Sequence, residues 1–232
     1  MALPDASTTC ARAFAVRLHA TLPRALHAAG ASRIRLNLRD ATVAPGAGLV
    51  QTWQSPQQDA LVQFWMPSAN ARFRAKVDAA LAAHARRHAA WLVCESEIIA
   101  NRTCPAAPGE RTRGWSQASF ISFRADMPRM DTIAHWHSHH TRVAIETQAN
   151  FEYIQNIVVR PLTDDAPAYD AFVEECFPLD ALDQPEAFFD AVGQPEKFSA
   201  NVRTMMESCN GFIDFARIDV IPTSQFDFAQ DG

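Results

Sequence analysis

No run of apolar residues in this chain approaches the roughly 20 needed to cross a bilayer. The first nine residues, Met1 to Thr9, lack the apolar core of a signal peptide. These absences point to a soluble, cytoplasmic protein with no membrane partner. A basic stripe is also missing: the formal net charge is -5, and acids and bases are mixed along the chain, so nothing is arranged to neutralise phosphates and nucleic acid is excluded as a partner. Cys10, Cys94, Cys104, Cys176 and Cys209 are odd in number and scattered, with no CxxC spacing. They read as reduced thiols, with Cys94 and Cys176 as small buried hydrophobes. Glycine-rich phosphate loops, GxSxG elbows and paired cysteine ligands do not occur, which removes support for nucleotide-dependent and α/β-hydrolase chemistry. Any catalysis is expected to run without a tightly held cofactor.

What is present suffices for a sizeable core. The 232 residues are 48% hydrophobic and 20% charged, enough for one large domain or two of about 100 residues each. Residues 101–113, with two prolines, a glycine and several charges, interrupt the apolar periodicity as a connection between compact units does. The expected organisation is a first module over 1–104, a linker over 105–113 and a second module over 114–232.

The second module reads β-α-β-β-α-β. Strands are expected at Trp115–Arg124, Phe151–Pro161, Tyr169–Phe177 and Phe212–Ile221, with helices at Met130–Thr147 and Pro185–Ser208, the latter broken near Gly193. The first half repeats this order without an opening strand: helix from Cys10 to Ala29, strands Arg33–Arg39 and Ala60–Met66, helix Asn70–Ala89, strand Trp91–Ala100. Pro23 must kink the first helix or start a new one after Thr21. Two such units give an α+β fold of tandem ferredoxin-like (split βαβ) modules, closing on each other within one chain as two subunits do in a dimeric α+β barrel. Aligning Ile34–Leu38 with Tyr153–Ile157 pairs Asn37 with Asn156 and Thr21 with His140, so only the second module has the histidine.

Four histidines crowd one helix, His135, His137, His139 and His140. The spacing of Ile133, Trp136, His140, Val143 and Ala144 marks a core-facing stripe, so only His140 points inward and the other three are solvated. An imidazole there is either a satisfied core histidine or a proton-transferring one. His135 and His139 have an i, i+4 relation, but no third ligand is assignable and Arg142 shares their side, so no metal is expected. In the following strand Asn156 lies between Ile154 and Val158, as an anchor for a ligand carbonyl, an orienter of histidine, or a partner for backbone. Glu174, flanked by Phe172 and Cys176, is either the matching carboxylate or an edge residue reaching water.

The helix HWHSHHTRV, the YIQN that follows it, the strand YDAFVEECF and the late FIDF together resemble the EthD family of dimeric α+β barrel proteins over roughly residues 115 to 225. The resemblance aligns Trp136 and His140 with the family's aromatic-histidine helix pair, and Tyr153, Gln155 and Asn156 with its Y-x-Q-N-like strand. It also aligns Glu174 with the acidic residue of the third strand, and Phe212, Ile213 and Asp214 with F-I-D. It implies a pocket between helix and sheet that takes a small, largely apolar carbonyl or phenolic compound, lined by Trp136, Tyr153, Gln155 and Phe172. There His140 moves a proton and Asn156 holds an enolate or phenolate oxygen, with Glu174 nearby, in a cofactor-independent lyase or isomerase. A non-catalytic binding protein and a cofactor-free monooxygenase are the alternatives. The sequence leaves assembly into a homodimer open.

Overall fold

The computed structural model describes residues 6–228, with side chains from Arg12 onward. Helix α1, Ala6–Ala28, continues unbroken across Pro23, which excludes a fresh helix after Thr21. Leu18, Leu22 and Leu26 form its buried stripe and pack on Ile34, Leu36 and Leu38 of β1, Ser32–Leu38. β2, Ala60–Trp65, α2, Ala71–His84, and β3, Trp91–Ile99, complete the first half. Between β1 and β2 a 3-10 segment, Ala41–Leu49, is capped by Asp40, whose side chain accepts from the Thr42 amide.

The second half carries β4, Trp115–Phe123, then α3, Arg129–His135, a π-helical turn, Trp136–His140, and α4, Thr141–Thr147. β5, Glu152–Pro161, β6, Ala171–Phe177, the short α5, Pro185–Phe188, α6, Pro195–Asn210, and β7, Ile213–Phe228, follow. The expected helix over Met130–Thr147 is thus interrupted: the Thr141 amide reaches back five residues to the Trp136 carbonyl, a register shift that recurs at functional positions in helices.

All strands join one antiparallel sheet in the order β2-β1-β7-β4-β6-β5-β3. The second half alone supplies the run β7-β4-β6-β5. The first half does not form its own complete sheet: β1 and β2 extend one edge through β7, and β3 extends the other through β5. β7 is long enough for this because it runs sixteen residues, pairing first with β4 and then with β1. The linker lies along it, with Gly109 and Thr112 amides bonded to the Asp227 and Gln225 carbonyls.

The sheet curls into a half-barrel, so its two faces see different surroundings. Outside, under the helices, Trp136, Val143, Tyr153, Val173, Met205 and Phe212 form one core, with the α1 cluster as a second. Inside, Leu61, Phe120, Tyr169, Phe172 and Ile221 pack with Trp53 and Trp91 at one end. Asp219 closes that end, accepting from the Tyr169 hydroxyl at 2.6 Å and from the Trp53 and Gln54 amides. The middle of the interior is polar. Cys94 differs from expectation: it is exposed on the edge strand β3, whereas Cys176 is buried.

Candidate functional site

The sheet divides the residues expected to share one pocket. Side chains alternate along β5, which sends Tyr153 and Gln155 to the helix side and Ile154 and Asn156 to the barrel interior. Gln155 Nε2 donates to Thr141 Oγ1 at 2.8 Å and to the Tyr153 hydroxyl at 2.7 Å. His140 and Trp136 lie on that same outer side, where Nδ1 of His140 is 2.9 Å from Ser208 Oγ and its ring is 4.7 Å from that of Phe212. Asn156, Phe172 and Glu174 lie on the inner side. His140 and Asn156 therefore cannot grip one small ligand across the intact sheet, which corrects the single-pocket expectation.

The outer side is filled. Trp136, Tyr153 and Phe212 are fully buried and His140 is 8% exposed. His135, expected in solvent, is half-buried with Nε2 shielded and unpartnered, its ring 5.0 Å from that of His139. Among the described residues no group of three or more His, Cys, Asp or Glu side chains forms a cation site.

Two titratable groups on this face act on stability in opposite senses. Burial, reinforced by His135 and His139, pulls His140 down to about 4. The folded value lies below the unfolded one, so the stability it supports is complete above about pH 6.5 and is lost as the pH falls towards 4. Burial pushes Glu175 up to about 7, against the hydrogen bond from Asn150. Here the folded value lies above the unfolded one, so the contribution is present below about pH 4.3 and is lost as the pH rises through 7. Glu175→Gln should therefore remove about 3 kcal/mol of stability loss between acid and neutral pH. Urea melts at pH 4.5 and pH 8 measure this, and an unchanged difference between the two would refute it.

The inner face holds a connected polar network. Glu174, 0% exposed, accepts from Arg35 Nη1 at 3.1 Å, Asn37 Nδ2 at 2.6 Å, Gln63 Nε2 at 2.6 Å, Ser116 Oγ at 2.9 Å and Gln225 Nε2 at 2.9 Å. β6 is flanked by β4 and β5, so Glu174 is no edge residue reaching water. Burial alone would raise its pKa, but Arg35 and the amide donors outweigh that and hold it below the usual carboxylate range. Glu152 goes the other way: burial raises it, Arg35 opposes, and the like charge of Glu174 adds to the rise. Arg35 binds Glu152 at 2.8 Å and Asp227 at 2.7 Å as well. All of its donor nitrogens are engaged with carboxylates.

Beside this network a cleft of about 440 Å³ opens between the outer edges of β2 and β3. Gln63 and Trp65 line one side, Glu95 and Glu97 the other, with the buried Ile154 beneath and the exposed Arg33 at the rim. Arg33 lies 3.9 Å from the ring centre of Trp65 and 3.8 Å from Glu95. Burial raises the Glu95 pKa, against Arg33 and Arg35. Asn156 sits in register between Glu95 and Phe172. It is 1% exposed, and among the described residues its Nδ2 has no partner. A second, shallower depression of about 450 Å³ runs past Arg124, Asp126 and Asp214.

Arg35, Gln63, Trp65, Glu95 and Glu97 were not singled out from sequence. The signal was the alternation Arg33, Arg35, Asn37 and Glu95, Glu97, which by itself reads as a solvated strand face. Glu175 was passed over beside Glu174.

Residues 124–216 match the family model of the EthD domain. A comparison with curated proteins found no match. No helix among the described residues is long and apolar enough to cross a membrane.

Proposed function

Taking the EthD domain at residues 124–216 as the premise, we propose that the chain is a small-molecule-processing protein. It acts as a cofactor-independent lyase or isomerase on a small carbonyl or phenolic compound held in the cleft between β2 and β3. Two ferredoxin-like modules would play the two subunits of a dimeric α+β barrel. The observation that carries the proposal is the cleft itself, lined by the half-buried carboxyl of Glu95, with the buried Asn156 amide in register behind that residue and unpartnered among the described residues.

In this reading Glu95 takes a proton from the carbon beside the carbonyl. The electron pair moves to the oxygen, and the Asn156 amide donates to the enolate so formed. In a β,γ-unsaturated substrate, returning the proton to the γ-carbon of the dienolate completes an isomerisation, and in others expelling a β-substituent completes an elimination. Glu174 is occupied by five donors and serves as the anchor of the floor. Phe172 packs in the interior aromatic cluster with Phe120 and Tyr169, while Trp136, Tyr153, Gln155 and His140 hold the helices on the other face.

On this account His140→Ala leaves turnover within a fewfold of wild type. It costs about 1–3 kcal/mol of stability through the orphaned Ser208 hydroxyl and the lost packing. A turnover loss of about 10² or more in a folded His140→Ala protein, of the size expected for removing a general base, would return the chemistry to the helix side. The function is tested by incubating a panel of small ketones and phenols with the protein in deuterated buffer, without added metal or cofactor. Exchange at the carbon beside the oxygenated one, read by proton NMR, supports the enzyme. Binding without exchange favours the non-catalytic reading, to which the saturation of Glu174 lends weight.

A further inference from the structure

Two guanidiniums line the cleft, and they are in opposite states. Arg35 has every donor nitrogen bound: Nε and Nη2 to Asp227, Nη2 also to Glu152, and Nη1 to Glu174. Arg33 stands at the rim with its side chain 66% exposed. Its one ion-pair partner among the described residues is Glu95, 3.8 Å from Nη2 and so beyond hydrogen-bond length. Among those residues it donates no hydrogen bond. Arg33 is nonetheless held in place. The register of β1 with β2 shifts between Ser32 and Arg35, and within this bulge Arg33 has a φ of 49°. That is the left-handed region, which disfavours any residue with a Cβ. Bulges re-aim side chains, and strain of this kind collects where a side chain must be aimed. The guanidinium carbon stands 3.9 Å from the centre of the Trp65 ring, a cation-π contact. The ring takes up no conventional hydrogen bond, so the N–H donors stay available to a ligand.

We infer that Arg33 selects the ligand of this cleft by binding a carboxylate, so that the compound taken is a keto acid or a phenolic acid. Its carboxylate pairs with Arg33 at the rim and its carbonyl or phenol lies towards Glu95. This rests on the cleft being the ligand site, as proposed above, and names the class of compound. The planar guanidinium presents its donors as a fork that matches the two oxygens of a carboxylate. A doubly charged phosphate does not suit the place, because Glu95, Glu97 and Asp227 line the same cleft. One negative charge is tolerated: Asp227 is neutralised by Arg35, and Glu97 is exposed to water and screened. A cation would be drawn by Glu97 and repelled by Arg33, so the sign of the preferred charge tests the assignment directly.

The test uses the full chain and two probes that share one aryl ketone, 4-oxo-4-phenylbutanoate and its methyl ester. Titration calorimetry at low ionic strength should show the acid binding about tenfold or more tighter than the ester, the worth of a hydrogen bond between charged groups. Arg33→Gln should abolish that difference and leave ester affinity within about twofold, because the ester makes no ion pair to lose. Arg33→Lys should keep part of it, since the charge remains and the fork is lost. Glu97→Gln should leave the preference for the acid equal or larger. Ester binding as tight as the acid or tighter, a preference that survives in Arg33→Gln, or no binding of either probe at millimolar concentration overturns the inference. Acid binding that depends on Arg33, with no exchange of the protons beside the ketone in deuterated buffer, leaves the inference standing and removes the enzyme reading. Equal exchange of acid and ester, unchanged in Arg33→Gln, does the reverse.

Discussion

Glu174→Ala is expected to destabilise the fold by about 3–5 kcal/mol, the cost of taking the shared acceptor out of a buried, hydrogen-bonded ion network. The carboxylate is fully buried, yet it accepts from one guanidinium, three amides and a hydroxyl drawn from β1, β2, β4 and β7. Removing it leaves Arg35 with Glu152 and Asp227, and it strips Asn37, Gln63 and Gln225 of an acceptor. For a chain of this length the melting temperature should drop by about 10 °C. The double variant Arg35→Met with Glu174→Leu should lose at least as much as Glu174→Ala alone, because it also strips the buried Glu152 of its guanidinium partner. Thermal and urea melts decide it, and a loss below about 1 kcal/mol in Glu174→Ala would mean that the network contributes little.

Glu95→Gln is the corresponding test of chemistry. The side chain is only half-buried and makes a single 3.8 Å ion pair with Arg33, so the variant should fold normally. If Glu95 is the proton carrier, exchange at the substrate carbon should fall by about 10² to 10⁴ with little change in binding. The wild-type rate should rise with pH as the raised Glu95 carboxyl ionises, and that rise should vanish in the variant. Undiminished exchange in Glu95→Gln would remove it from the mechanism.

The strands of the second half were legible because their outward faces alternate cleanly with core residues such as Ile121, Tyr153 and Val173. β7 was read as ending at Ile221 and runs on to Phe228. Pro222, Thr223, Ser224 and Gln225 look like a turn, but Thr223 and Gln225 face a polar interior and bond to Ser116, Glu152 and Glu174. Polarity facing inward cannot be told from polarity facing water by periodicity alone. The same ambiguity hid Arg35 and Glu95, and it made Glu174 read as a residue near an edge. His140 was placed correctly on the buried stripe, since that needs only helical spacing. What it would meet there, Ser208 and Phe212 rather than Asn156, depends on which face of the sheet α4 and α6 cover. The order of elements in the first half, helix, strand, strand, helix, strand, was visible in the sequence. The cleft between β2 and β3 needed the curl of the sheet.

The central claim is that the ligand enters between β2 and β3 and not beside the histidine helix. The five tryptophans give five indole N–H signals, with Trp65 in the cleft and Trp136 buried against Phe212 on the opposite face of the sheet. Titrating ¹⁵N-labelled protein with a carbonyl compound that undergoes exchange should move the Trp65 indole signal and leave that of Trp136 in place. Movement of Trp136 with Trp65 unchanged would contradict the account.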